Sequence, residues 1–145
     1  GIDTISQNNM CLIKDYLKIL DSNSIDFTLS FRDLSKILKK TKGIEDSVFK
    51  NTSDFKKWTE NWIVRNISEK ANLKDITNKM DLINPCYIPR NHTIEDALEN
   101  AVNGDMSLIN EILQLYKNPF DENEDFEIFM KPSKTNTPYV TFCGT

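Results

Sequence analysis

The chain has 145 residues, with 18 Lys+Arg against 22 Asp+Glu, one His and a formal net charge of −4. That length suits one domain, and an apolar share of 39% with 10% aromatics supplies a hydrophobic core, which excludes a disordered chain. Only 4 Gly and 5 Pro exclude collagen and low-complexity arrays, and a mildly acidic balance without a basic cluster excludes a typical nucleic-acid domain.

The order of elements is helical throughout. Met10, Ile13, Leu17 and Leu20, widened by Tyr16, predict a first helix that Asp21-Ser22-Asn23-Ser24 breaks. A second opens on Asp26 as N-cap and is expected to bury Phe27, Phe31, Leu34 and Leu38. It should end in Lys39-Lys40-Thr41-Lys42-Gly43, with cations on the last carbonyls and Gly43 near the C-terminal cap. Residues 41–52 have no clear period and read as a loop with one turn. A third helix begins near Ser53 and carries Phe55, Trp58, Trp62 and Ile63 on one side.

Leu73, Ile76, Met80 and Ile83 mark a fourth, which Asn84-Pro85 ends because the residue before proline is pushed out of the helical region. Pro85 to Pro89 is an extended connector. Thr93 with Asp96 fits a capping box for a fifth helix with Ile94, Ala97, Leu98, Ala101 and Val102 as its stripe. Asn103-Gly104 ends it, and Asp105 caps a sixth that aligns Ile109, Ile112, Leu113 and Tyr116. Phe120 to Phe129 is acidic and aromatic, with room for one short helix. The expected fold is therefore all-α, an irregular bundle of about six helices over residues 1–130, followed by an extended C-terminal arm, residues 131–145.

No run of about 18 apolar residues exists, so neither a transmembrane helix nor a membrane partner is expected. The start, Gly1-Ile2-Asp3-Thr4, lacks the basic and apolar regions of a secretory signal and lacks an initiator Met. A cytoplasmic location, and a piece of a longer protein, are the corresponding expectations. Cys11, Cys86 and Cys143 are odd in number and lack C-x-x-C spacing, which suits a reducing compartment or one regulatory thiol.

Site motifs are sparse. Gly1, Gly43, Gly104 and Gly144 cannot build a phosphate-cradling loop, and none of Asp26-Phe27, Asp54-Phe55 or Asp125-Phe126 is followed by glycine. Asp121 to Asp125 imitates the start of an EF-hand loop, but Phe126 stands where glycine is needed and Pro132 where a bidentate glutamate is needed. His92 is the single histidine, so a multi-histidine zinc site is excluded, and no orienting partner for a general base is apparent. Arg90 with Asn91 offers a bidentate carboxylate clamp, although bonding to helix-end carbonyls is the preferred reading for Arg90. The stripe of Phe55, Trp58 and Trp62 reads as core or as a seam against a neighbouring domain. Cys143, third from the C-terminus on the arm, is the one cysteine placed for reversible oxidation.

Taken as one string, Met80-Asp81-Leu82-Ile83-Asn84-Pro85-Cys86-Tyr87-Ile88-Pro89-Arg90-Asn91-His92, then Glu95-Asp96-Ala97, Gly104-Asp105, Asn118-Pro119-Phe120-Asp121 and Thr141-Phe142-Cys143-Gly144-Thr145, the second half resembles the C-terminal end of the selenoprotein O family. The likeness is dense over residues 80–145. It is looser from Asp15 to Trp62, where Asp26-Phe27-Thr28-x-x-Phe31-Arg32-x-Leu34-Ser35 and the spacing of Trp58, Trp62 and Arg65 carry it.

The resemblance implies a longer protein with a kinase-like core upstream, one that transfers AMP from ATP, with Mg2+ or Mn2+, to hydroxyl side chains of protein substrates. It puts every catalytic, nucleotide-binding and metal-binding residue of that family outside this chain, which would then have no cofactor of its own and would partner the missing core. It also implies a redox role for Cys143, whose place is held by selenocysteine in some members. From the residues alone, the rival reading is a stand-alone helical adaptor that binds a partner protein through Phe55, Trp58 and Trp62.

Overall fold

The computed structural model describes residues 7–68 and 72–133. Among them are six α-helices, two 3-10 segments and no strand: α1 (Gln7–Ser22), α2 (Phe27–Lys39), a 3-10 turn (Ile44–Asp46), α3 (Ser53–Ser68), α4 (Leu73–Ile83), α5 (Asn91–Val102), α6 (Ser107–Lys117) and a 3-10 segment (Glu124–Met130). The all-α bundle expected from the periodicity is the observed architecture. Residues 134–145, which hold most of the expected arm and Cys143, lie outside the described residues.

Helices pair as α1 on α3, α2 on α4, and α5 on α6. The first four enclose the larger core, built on Tyr16, Leu20, Leu34, Leu38, Phe55, Trp58, Trp62 and Met80. Phe49, fully buried, joins them from the segment that has no period and stacks on Phe55 with ring centroids 3.6 Å apart. Trp58 packs its face toward Tyr16 and donates its indole N–H to the Leu12 carbonyl at 2.8 Å, which ties α3 to α1. A buried indole with its one donor satisfied contributes its full apolar area without a desolvation cost. A second, smaller core gathers Cys86, Tyr87, Leu115 and Met130, with Leu29 reaching it from α2.

Local chemistry explains most helix ends. Asp26 caps α2, its carboxylate accepting the Leu29 N–H at 2.8 Å. Asn72 caps α4 in the same way through Lys74 N–H, and Asn84 ends it ahead of Pro85. Gly104 takes φ +89 after α5 and returns its N–H to the Ala101 carbonyl, the left-handed stop that a side chain resists.

Five expectations need correction. The left-handed residue after α2 is Lys40 (φ 60), not Gly43, which lies at φ −76. Helix α5 begins at Asn91 with Arg90 as the cap position, so Thr93 is a buried first-turn residue and no capping box forms. Asp105 does accept the Ser107 N–H, but from one residue ahead of the cap position of α6. Phe27 is 60% exposed, since the first residue of α2 projects past the bundle, and in α5 only Ala97 of the predicted stripe is buried, with Leu98 and Val102 facing solvent.

Candidate functional site

The segments quoted above for their resemblance meet in space. Arg90, at the end of the connector, clamps Asp26 with Nη1 to Oδ2 at 2.8 Å and Nη2 to Oδ1 at 3.0 Å, across 64 residues of sequence. The same carboxylate caps α2, so one side chain both starts a helix and anchors the connector. The planar fork of arginine matches a carboxylate in this two-bond geometry, which lysine cannot do. Burial pushes the Asp26 carboxyl upward, but the bonds and charge of Arg90 and the Leu29 N–H outweigh it, so its pKa lies below the usual carboxylate range.

Arg32, on α2 and almost fully buried, is the second anchor. Its Nη1 donates to the carbonyls of Asp81 at 3.2 Å and Asn84 at 3.1 Å, which closes the C-terminal end of α4, while Nη2 donates to Glu122 at 3.0 Å. Two lysines complete the cluster: Lys36 pairs with Glu122 and Lys39 with Asp81. Burial raises the pKa of Asp81 and Glu122, and the lysine and arginine partners reverse this, leaving both below the usual range. Asp33, a buried carboxylate, bonds Lys42 at 2.7 Å and the Val48 N–H at 2.8 Å and so fastens the loop that delivers Phe49.

The connector is fixed from its other side by Pro119. Its carbonyl accepts the N–H of Cys86 at 2.7 Å, the N–H of Tyr87 at 3.2 Å and the Cys86 thiol at 3.0 Å. Tyr87 exchanges bonds with Asn123, its hydroxyl accepting the N–H at 3.0 Å and donating to the carbonyl at 3.2 Å. Tyr116 donates to the Ile88 carbonyl at 3.3 Å. Burial pushes up the pKa of the Cys86 thiol and both phenols, keeping all three neutral.

The sequence motifs therefore map onto a junction. Arg90 does clamp a carboxylate, the reading placed second above, and Arg32 is the arginine that bonds helix-end carbonyls. Sequence reasoning missed Arg32, Asp33, Asp81 and Glu122 as a set; the signal available was an arginine and an aspartate inside the apolar stripe of α2. His92 is half-buried. Phe55, Trp58 and Trp62 are core, so they offer no surface to a partner and the adaptor reading that used them is overturned. Cys11 is exposed and Cys86 buried. Cys143, the candidate redox residue, lies outside the described residues.

The resemblance implies Mg2+ or Mn2+ with ATP for the longer protein. The carboxylates that approach one another here, Asp81 and Glu122 about Arg32, are each neutralised by a lysine as well, a donor set that does not fit a divalent cation. Among the described residues no group of three His, Cys, Asp or Glu is arranged to hold a metal, and no helix is long and apolar enough to cross a membrane.

Fold and junction together define an all-α chain whose distinctive motifs lock helices and a connector into one frame. The sequence model of the family described as protein adenylyltransferase SelO matches residues 1–117, and the chain belongs to that family. Protein nucleotidyltransferase YdiU of Clostridium perfringens (strain 13 / Type A) is 37% identical over 146 residues, covering 100% of this chain and 29% of that protein. The proteins of the same name from Sphingopyxis alaskensis and Bacillus cereus (strain AH820) are each 34% identical over the whole chain, which covers 30% and 29% of them. The chain thus spans about three-tenths of the length of the curated relatives it matches.

Proposed function

We propose that this chain is the C-terminal helical frame of a protein adenylyltransferase that moves AMP from ATP, with Mg2+ or Mn2+, onto hydroxyl groups of proteins, and that the frame itself carries none of the transfer chemistry. The observation that carries this reading is the use of the motif residues and of Glu122 beside them. Asp26, Arg32, Asp81, Arg90 and Glu122 spend their charges on one another and on helix ends, leaving no acid, base or phosphate-binding cluster among them. Membership of the family and the relatives' greater length support a catalytic portion elsewhere in the protein. Two free thiols, one buried and one exposed, suit the cytoplasm.

The test is incubation of the 145-residue chain with α-labelled ATP, Mg2+ or Mn2+ and a protein acceptor. No transfer of label is expected, and labelled acceptor overturns the division of labour. In the longer protein, Cys143 is expected to pair with a cysteine of the catalytic portion on oxidation. Mass mapping after alkylation checks this: a Cys143 that alkylates freely in the oxidised protein removes the redox role.

A further inference from the structure

The second core and the elements around it differ from the α1–α4 bundle in how they are attached. Helices α5 and α6 pair with each other, and among the described residues neither packs as extensively on α1, α2, α3 or α4. Among the described residues, connections between the two bodies include Leu29 on the apolar side and ion pairs on the polar side: Arg90 to Asp26, and Arg32 and Lys36 to Glu122. Charge is also divided. Residues 85–130 hold ten acidic side chains against Arg90 and Lys117, while residues 1–84 hold fourteen basic against twelve acidic. Opposite net charges attract across the seam, and part of that attraction is screened by salt.

We propose that residues 85–130 form a lobe that opens from the α1–α4 bundle as one unit and is latched shut by two buried arginines, Arg32 and Arg90. The lobe keeps its own bonds when it opens. Pro119 holds Cys86 and Tyr87, Asn123 holds Tyr87, and Tyr116 holds Ile88, all within residues 85–130. What separates is Arg90 from Asp26, Glu122 from Arg32 and Lys36, and Leu29 from the second core. Such local opening is the usual behaviour of a unit with few apolar contacts across its boundary. Opening uncovers the seam side of Cys86, which is fully buried in the closed form. The device therefore converts ionic conditions, or a charged partner competing for Arg32 or Arg90, into exposure of the connector and its thiol.

Cys86 supplies the readout, and the exposed Cys11 the internal control. The 145-residue chain is pulsed with N-ethylmaleimide and the two cysteines are quantified by peptide mass. Amide hydrogen exchange of α3, α5 and α6 is followed in parallel. The variant Asp26→Asn/Glu122→Gln removes the carboxylate partner of each latch arginine, one on the bundle and one on the lobe, while asparagine retains the helix cap. Expected are a rise of at least tenfold in Cys86 labelling, Cys11 labelling within twofold, exchange in α5 and α6 rising together, and α3 unchanged. In the unmodified chain, raising NaCl to 1 M should move Cys86 the same way by a few-fold. Cys86 labelling unchanged in the variant sinks the latch. Labelling that rises only in step with α3 exchange shows global unfolding and sinks the independent lobe. Should the variant not fold, urea below the unfolding midpoint decides the matter in the unmodified chain. A shallower urea dependence for Cys86 than for α3 supports the lobe, and equal slopes overturn it.

Discussion

The α1–α4 bundle and the segment 85–130 are both helical, yet different forces hold them. The bundle is an aromatic core in which Tyr16, Phe49, Phe55, Trp58 and Trp62 touch in sequence, so its stability comes from apolar area and packing. The second body buries only Cys86, Tyr87, Leu115 and Met130 as a cluster and leaves Leu98, Val102, Met106 and Leu113 exposed. Its position is set by directional contacts with charged groups. The lesson is that burial creates the bundle, whereas geometry-specific hydrogen bonds decide where the rest is placed upon it.

The sharpest way to break this contrast is truncation in the bundle core. Phe55→Ala should cost about 3–5 kcal/mol, the range for a fully buried aromatic, and urea unfolding should show the loss in every helix. Removing a clamp should cost slightly less and fall unevenly. Asp26→Ala leaves Arg90 buried without its partner and strips the cap of α2, together about 3 kcal/mol, with hydrogen exchange rising first in α5 and α6. An equal rise in α3 would erase the distinction between the two bodies.

Acid tests the same contrast without mutation. Asp26, Asp81 and Glu122 have pKa values lowered by folding, so the stability they contribute is complete above the unfolded carboxylate range and is lost as pH falls through their folded values, below about 4. The thiol of Cys86 is shifted upward, so its contribution is present below about pH 8.5 and is lost as pH rises through the folded value. Exchange protection of α5 and α6 should therefore narrow at both ends, with that of α3 following at lower pH. Tyr87→Phe removes both bonds to Asn123 and should cost about 1 kcal/mol, read as a modest drop in melting temperature. The smallest expected effect is a gain: Lys40→Gly relieves a left-handed lysine and should stabilise the chain by about 0.5–1 kcal/mol in the same assay.

Much of the chain's order was legible because it is written in local chemistry. Asp26 before an apolar stripe, Ser53 before the tryptophans, and Asn84 before Pro85 each mark a boundary that the structure keeps. Thr93 failed as a cap because the chain enters α5 directly from Pro89, and Arg90, already committed to Asp26, occupies the cap position. Phe49 was illegible because a single aromatic in a segment without period carries no sign of which core it will fill. The candidate site was half legible. The connector motif stood out as a string, but its partners did not, since Arg32 and Glu122 lie 90 residues apart.

The sequence by itself determined the helices, the Asp26 cap and the family likeness, because a 3.6-residue period and a side chain that bonds its own backbone act within one turn. Only the tertiary structure decided that Arg90 answers Asp26, that Arg32 closes α4, and that the tryptophan stripe is core. Those outcomes depend on which surfaces meet. A buried charge finds its partner wherever packing puts one within hydrogen-bond reach, and no local pattern encodes that distance.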